Sequence, residues 1–222
     1  MFFWSIDFST DILLALGLLT LFVPAYFASR VEQFFVFILQ SLLYDRVQFF
    51  FNSLPRCITK TEFVVWGHLH TYLLITFNLY ILSQKSFFSF VPLGITNPLL
   101  LFFCLFLGTL LGAGLFGLFF SLVRYIYLKR EQGIILSQYA ILSEWIWSIF
   151  LYASALVSLS PLHPFWGTGI LIISYLFWRL FVLSYAWRAL KGGIQLFHLF
   201  LYLCAREIAP VAFVLSIVWL RR

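Results

Sequence analysis

The stretch PLLLFFCLFLGTLLGAGLFGLFFSLV, residues 98–123, carries no charge and outruns the roughly 20 residues that a helix needs to cross the ~30 Å hydrocarbon layer. Its apolar residues do not alternate with polar ones, as the strands of a membrane barrel require. Hydrocarbon offers the backbone no partners, so a spanning segment that is not part of a closed barrel has to be a helix. The charge-free run extends over residues 86–123, and a second one covers 145–178.

Working outward, the whole chain has the same character. Its 222 residues are 63% hydrophobic and 10% charged, with 29 Phe, 11 Tyr and 8 Trp. A soluble domain has about 25% charged residues. The expected fold is therefore all-α: a polytopic transmembrane helical bundle of about six spans forming a single domain over residues 1–222. The spans are expected at about 12–29, 63–83, 98–122, 139–160, 165–187 and 193–220, with breaks at SPLHPF (160–165) and LKGG (190–193). Pro98 opens the third near its first turn, where a missing N–H costs nothing. The first apolar run follows Asp7 and Asp11 without a basic segment, so no cleaved signal peptide is expected.

The net charge of +6 does not form a nucleic-acid face, because the basic residues lie at the ends of apolar runs. Loops 30–62, 123–138 and 188–192 hold nine Lys and Arg, against three on the other side (Lys85, Arg221 and Arg222). The excess of positive charge faces the cytoplasm, which places both termini outside. Residues 31–51, VEQFFVFILQSLLYDRVQFFF, admit two readings. A crossing would bury Asp45 and Arg46 deep in the bilayer. An amphipathic helix at about 33–51, lying on the cytoplasmic interface, gathers Gln33, Gln40, Ser41, Tyr44, Asp45 and Gln48 on one side and is preferred.

Residues suited to chemistry are few. Cys57, Cys104 and Cys204 have no metal-ligand spacing, and no metal site or cofactor is expected. Walker, HExxH, Rossmann and GxSxG signatures are absent, so the sequence does not decide whether the chain is an enzyme. Gly108, Gly112 and Gly117, with Ala113, give the third span a small-residue face for close helix packing and mark it as a central helix.

Ionisable groups inside spans carry more information, because each is costly in hydrocarbon. They are His68 and His70 in the second span, Glu144 in the fourth, Arg179 in the fifth, and His198, Arg206 and Glu207 in the sixth. His68, Glu144 and His198 each lie five residues inside the cytoplasmic end, roughly 7–8 Å deep, and Arg179 lies about 12 Å deep. They describe a polar layer in the inner half of the bundle. Ion pairs of Glu144 with Arg179 or Arg206, and of Glu207 with the other arginine, are expected. His68 and His70 at i,i+2 point to different sides of their helix and make a poor metal pair.

In the last span Gln195, His198, Tyr202 and Arg206 fall on one helical stripe, and Pro210 releases the carbonyl of Arg206. Three readings of the layer stay open. It fixes helix register, or it binds a proton or small polar substrate, or two of His68, His70 and His198 ligate haem.

The run LYLCAREIAP, residues 201–210, resembles the closing signature of a family of integral membrane proteins from Bacteroidota that has no assigned function. Tyr202, Cys204, Ala205, Glu207, Ile208 and Pro210 carry the resemblance, and residues 98–222 are similar in layout. It implies a multi-pass protein of the bacterial inner (cytoplasmic) membrane and brings no activity with it. The expected function is a small transport or membrane-complex assembly component, with membrane lipids and other membrane subunits as partners. The alternative is a membrane-embedded enzyme or a b-type haem electron-transfer subunit.

A topology test follows from the loop charges. Single cysteines introduced at Lys85 and beside the C-terminus should react with an impermeant reagent in intact cells, while a cysteine in 123–138 stays protected. The reverse pattern would invert or break the six-span scheme.

Overall fold

The computed structural model describes residues 8–44, 46–55, 57–84, 98–127, 130–160 and 164–190. Among the described residues there are seven helices and no strand. They are α1 (Phe8–Arg30), α2 (Phe34–Leu43), α3 (Val47–Ser53), α4 (Lys60–Gln84), α5 (Pro98–Tyr127), α6 (Arg130–Leu159) and α7 (Pro164–Leu190). The expected span 193–220 lies outside the described residues, as does the stretch LYLCAREIAP.

By length and apolar composition one described segment, Gly133–Leu159 of α6, suffices by itself to cross a membrane. Ala15–Arg30 and Phe34–Leu43 qualify only together, and they meet at a bend of 81°. Leu99–Leu115 of α5 and Trp166–Val182 of α7 are further apolar stretches within longer helices. Among the described residues, then, one helix, or two if the bent pair counts as a single span, is long and apolar enough to cross a membrane.

Two sequence expectations are corrected here. The segment 33–51 is not one helix but two, the first ending at Leu43 and the second starting at Val47. There the Arg46 N–H bonds the Ser41 carbonyl and the Tyr139 hydroxyl donates to the Leu42 carbonyl at 3.0 Å, satisfying groups that a continuing helix would have used. The basic connection 123–138 is largely helical, because α5 runs on to Tyr127 and α6 already starts at Arg130.

Local chemistry sets the other boundaries. The bend after α1 is made at Gln33, whose φ of 50° lies in the left-handed region that a side chain disfavours. The start of α4 is a capping box. Thr59 Oγ1 accepts from the Glu62 N–H at 3.1 Å, and Glu62 Oε2 accepts from the Thr59 N–H at 2.8 Å and its hydroxyl at 2.9 Å. Those bonds, the backbone one foremost, hold the Glu62 carboxyl below the usual carboxylate range. The cap is accordingly intact above that range and is lost as pH falls through the lowered value.

Contacts between side chains give the direction of each helix. α1 runs antiparallel to α4, since Gly17 meets Phe77 and Phe27 meets Phe63. α5 is antiparallel to α4 through Thr76–Thr109 and Tyr80–Phe102. α6 is parallel to α4, and α7 returns antiparallel to α6. The direction thus alternates along α1, α4, α5, α6 and α7.

α6 is the central helix, touching α2, α3, α4, α5 and α7. Its Trp145 lies in a cluster of buried rings from Phe27, Phe34, Phe50, Phe51 and Phe63. It meets Phe27 edge-on at 5.4 Å and Phe34 at 5.0 Å between ring centroids. The α6–α7 pair keeps one register throughout. Trp178 Nε1 donates to Ser143 Oγ at 2.8 Å, Trp147 Nε1 to Ser174 Oγ at 3.2 Å, and Ser154 Oγ to the Gly167 carbonyl at 2.9 Å. Each step along α6 is matched by an equal step back along α7. Trp147 and Trp178 stack at 4.6 Å between them.

The expectation of α5 as the tightly packed centre is not met within the described chain. Around Gly108, Gly112 and Gly117 nothing lies within 4 Å of where a Cβ would stand. Leu111, Leu115, Leu118 and Leu122 of the same helix are exposed. Small residues permit close approach without enforcing it, and here the close approach is made at Gly67 and Gly167. A Cβ on Gly167 would fall 1.8 Å from Ser158 Oγ and 3.0 Å from its Cβ.

Gly167→Ala should accordingly destabilise the protein by about 1–3 kcal/mol through overpacking. Gly112→Ala should be neutral or stabilise by up to about 1 kcal/mol through helix propensity. Thermal unfolding in detergent, followed by circular dichroism, checks the order; equal losses at both positions would refute this packing.

Candidate functional site

Between α4 and α6 runs a seam that holds histidine, carboxylate and amide side chains. On α4 the positions Gly67, His70, Thr71, Leu74 and Asn78 recur at helical spacing and form one stripe. Gly67 admits the indole of Trp145, because a Cβ there would stand 2.8 Å from Trp145 Nε1 and 2.9 Å from Ile141 Cδ1. The imidazole of His70 stacks on the same indole at 5.2 Å. Asn78 Nδ2 donates to the carbonyls of Leu74 at 2.9 Å and Leu151 at 3.1 Å.

His68 and Glu144 meet at one rim of this seam. His68 Nδ1 lies 2.7 Å from Glu144 Oε2, the short separation of a charge-assisted bond. The His68 side chain is 39% exposed and that of Glu144 is 13% exposed. Tyr72, one turn along α4, stacks on the His68 ring at 6.0 Å.

The sequence places these two residues at one depth, and they are in contact. The expected pairing of Glu144 with Arg179 is not what the structure shows. Arg179 lies over the rings of Trp178 at 4.5 Å and Tyr175 at 5.2 Å, and its Nε donates to the Tyr175 hydroxyl at 3.0 Å. The reason is the α6–α7 register. Ser143 faces Trp178, and Glu144, turned about 100° further round α6, faces α4 instead. His198, Tyr202, Arg206, Glu207 and Pro210 lie outside the described residues, so their expected pairings do too.

Further into the bundle is a chain of hydrogen bonds that the sequence reading missed. Pro24, inside α1, has no N–H for the carbonyl of Thr20, its i−4 residue. The Tyr152 hydroxyl supplies the missing donor at 2.7 Å. Having spent its single proton there, that hydroxyl accepts from His70 Nε2 at 2.9 Å. This fixes the neutral His70 tautomer with its hydrogen on Nε2. One carbonyl released by proline thereby ties α1, α6 and α4 together.

A signal was available, since the argument from Pro210 to the carbonyl of Arg206 applies equally to Pro24 and Thr20. What the sequence could not supply was the donor, 132 residues away.

Several buried polar atoms have no partner among the described residues. On the seam these are His70 Nδ1, Thr71 Oγ1, Asn78 Oδ1 and Trp145 Nε1. The same residues contain no group of three or more His, Cys, Asp or Glu side chains able to hold a metal ion. Nor do they present a bis-histidine haem site. His70 is fully buried, stacked on Trp145 and engaged by Tyr152, while His68 on the other side of α4 is committed to Glu144. Cys57 and Cys104 are exposed free thiols far from the seam in sequence.

Comparison of the chain with protein-family models, curated proteins and solved structures finds no match in any of the three.

Tyr152→Phe should cost about 1–3 kcal/mol, because it leaves the Thr20 carbonyl and His70 Nε2 unpaired in an apolar interior. In a Pro24→Ala background the restored N–H takes up the Thr20 carbonyl, and the same substitution should cost less. A double-mutant cycle in detergent measures this coupling, expected at about 0.5–3 kcal/mol. A coupling of zero would show that the tyrosine does not compensate the proline.

Proposed function

We propose that the chain is a polytopic membrane protein of about six crossings in the bacterial inner membrane. It serves as a small transport or membrane-complex assembly component and works through the polar α4–α6 seam. The observation that carries this reading is the His68–Glu144 pair: an ionisable pair between two apolar helices, covered on the carboxylate side and half-exposed on the imidazole side.

Other features support the membrane setting. The alternating directions of α1, α4, α5, α6 and α7 are those of a chain that crosses and recrosses a layer. The exposed leucines of α5 give lipid an apolar surface. α2, with 10 residues and thus ~15 Å long, is too short to cross, and it is set at 81° to α1. It buries Phe34, Ile38 and Leu42 against the bundle and exposes Val36, Leu39 and Leu43 on another face, beside exposed Gln40 and Tyr44. Such a three-sided helix suits the membrane interface, with one face on protein, one in lipid and one in water. The partners that fit these surfaces are lipids and other membrane subunits, not nucleic acid.

Transport through the seam and a purely structural pair are separated by one variant. Glu144→Gln should accumulate in the membrane at the wild-type level, yet fail to complement a strain lacking the protein. Reduced abundance of Glu144→Gln, restored when His68 is also made neutral and apolar, would instead make the pair a fastening between α4 and α6.

A further inference from the structure

Glu144 has a single charged partner among the described residues, and that partner is a histidine. The difference from an arginine or lysine partner is chemical. A fixed cation would hold the carboxylate ionised at any working pH. The imidazole can instead lose its proton within the physiological range.

With one shared proton the pair carries no net charge, whether that proton is written on nitrogen or on oxygen. Without it, one negative charge is left in a seam of apolar helices, which is unfavourable unless water reaches it. The pair therefore holds a proton until a replacement cation or an open aqueous path removes that cost.

The surroundings determine which side is open. Of the titratable side chains near the pair, Tyr72 of α4 stacks on His68. His70 of α4 is turned away against Trp145 and Tyr152. On α6 the face towards α7 presents Ser143 to Trp178, and Arg179 of α7 lies over Tyr175 and Trp178. From α5 the contacts described with α4 include Thr109 and Phe102, neither of them ionisable. The carboxylate is the covered partner and the imidazole the exposed one, so traffic passes through His68.

We propose that the His68–Glu144 pair is an exchangeable proton-binding site, loaded and unloaded through the half-exposed imidazole of His68. Resting on the function proposed above, this makes the proton the species that the seam handles. The step conserves charge: the imidazolium gives its proton to water, leaving neutral His68 beside ionised Glu144, and reprotonation reverses it.

The test uses the full chain in nanodiscs of zwitterionic lipid. Infrared difference spectra on a pH step, together with nitrogen NMR of labelled histidines, report the carboxylate and the ring. The wild type should show one coupled carboxylate–imidazole change across the pH step. The change should vanish in both Glu144→Gln and His68→Gln, and persist in Glu62→Gln, whose carboxylate caps α4 at the surface.

If the His68 ring of the wild type does not titrate, the proposal is overturned, and this readout needs no variant to fold. It is overturned equally if the change survives in His68→Gln. Should the pair titrate while Glu144→Gln still complements the deletion strain, the proton site stands and the transport reading falls.

Discussion

Four helices converge on the indole of Trp145, and they can do so because residue 67 has no side chain. Any Cβ at that position would sit within 3 Å of the indole nitrogen and of Ile141. With the approach open, the ring fills the space bounded by Phe27 of α1, Phe34 of α2, and Phe63 and His70 of α4. Displacement of α4 by even a methyl group would move His70 relative to Tyr152 and His68 relative to Glu144 together. The aromatic packing and the polar seam are thus one constraint, and α6 carries both.

The interior satisfies its polar groups mostly at short range. Ser143, Ser148, Ser174 and Thr109 donate to the carbonyl three residues earlier on their own helices. Such hydroxyls need no neighbour in order to be buried. Three of these four also serve a second helix, with Ser143 and Ser174 accepting indole N–H groups and Thr109 meeting Thr76. Longer bonds are kept for groups that a helix cannot satisfy alone: the Thr20 carbonyl released by Pro24, the amide of Asn78 and the carboxylate of Glu144.

How much of this was legible in the sequence depends on the range of the interaction. Helical character followed from charge-free runs such as 98–123, because hydrophobicity and backbone pairing are properties of the segment itself. The Thr59–Glu62 capping box is equally local, a Thr followed three residues later by a Glu. Among the described residues nothing packs closely on the small-residue face of α5. GxxxG is the better-known spacing, but close contact was made where Ser154 and Ser158 meet Gly167, a pattern of serines and one glycine. Among the described residues, α6 by itself is long and apolar enough to cross. Residues 193–220, on which much of the polar-layer reading rested, lie outside the described residues.

The meeting of His68 with Glu144 shows what sequence can and cannot supply about a site. Two helices separated by one antiparallel helix run in the same direction, so residues at equal depth on them lie side by side. Depth counting therefore brought His68 and Glu144 to one level before any contact was known. It could not rank partners, because Arg179 is a stronger counter-ion and was only a few ångströms deeper. The choice was made by rotation about the axis of α6. The Ser143–Trp178 bond fixes which face of α6 meets α7, and Glu144 is then obliged to look at α4. A carboxylate that would have been neutralised permanently by arginine is left with a partner whose charge depends on pH. Indole–serine pairing between α6 and α7, with no ionisable member, thus determines the chemistry open to the seam on the other side of the helix.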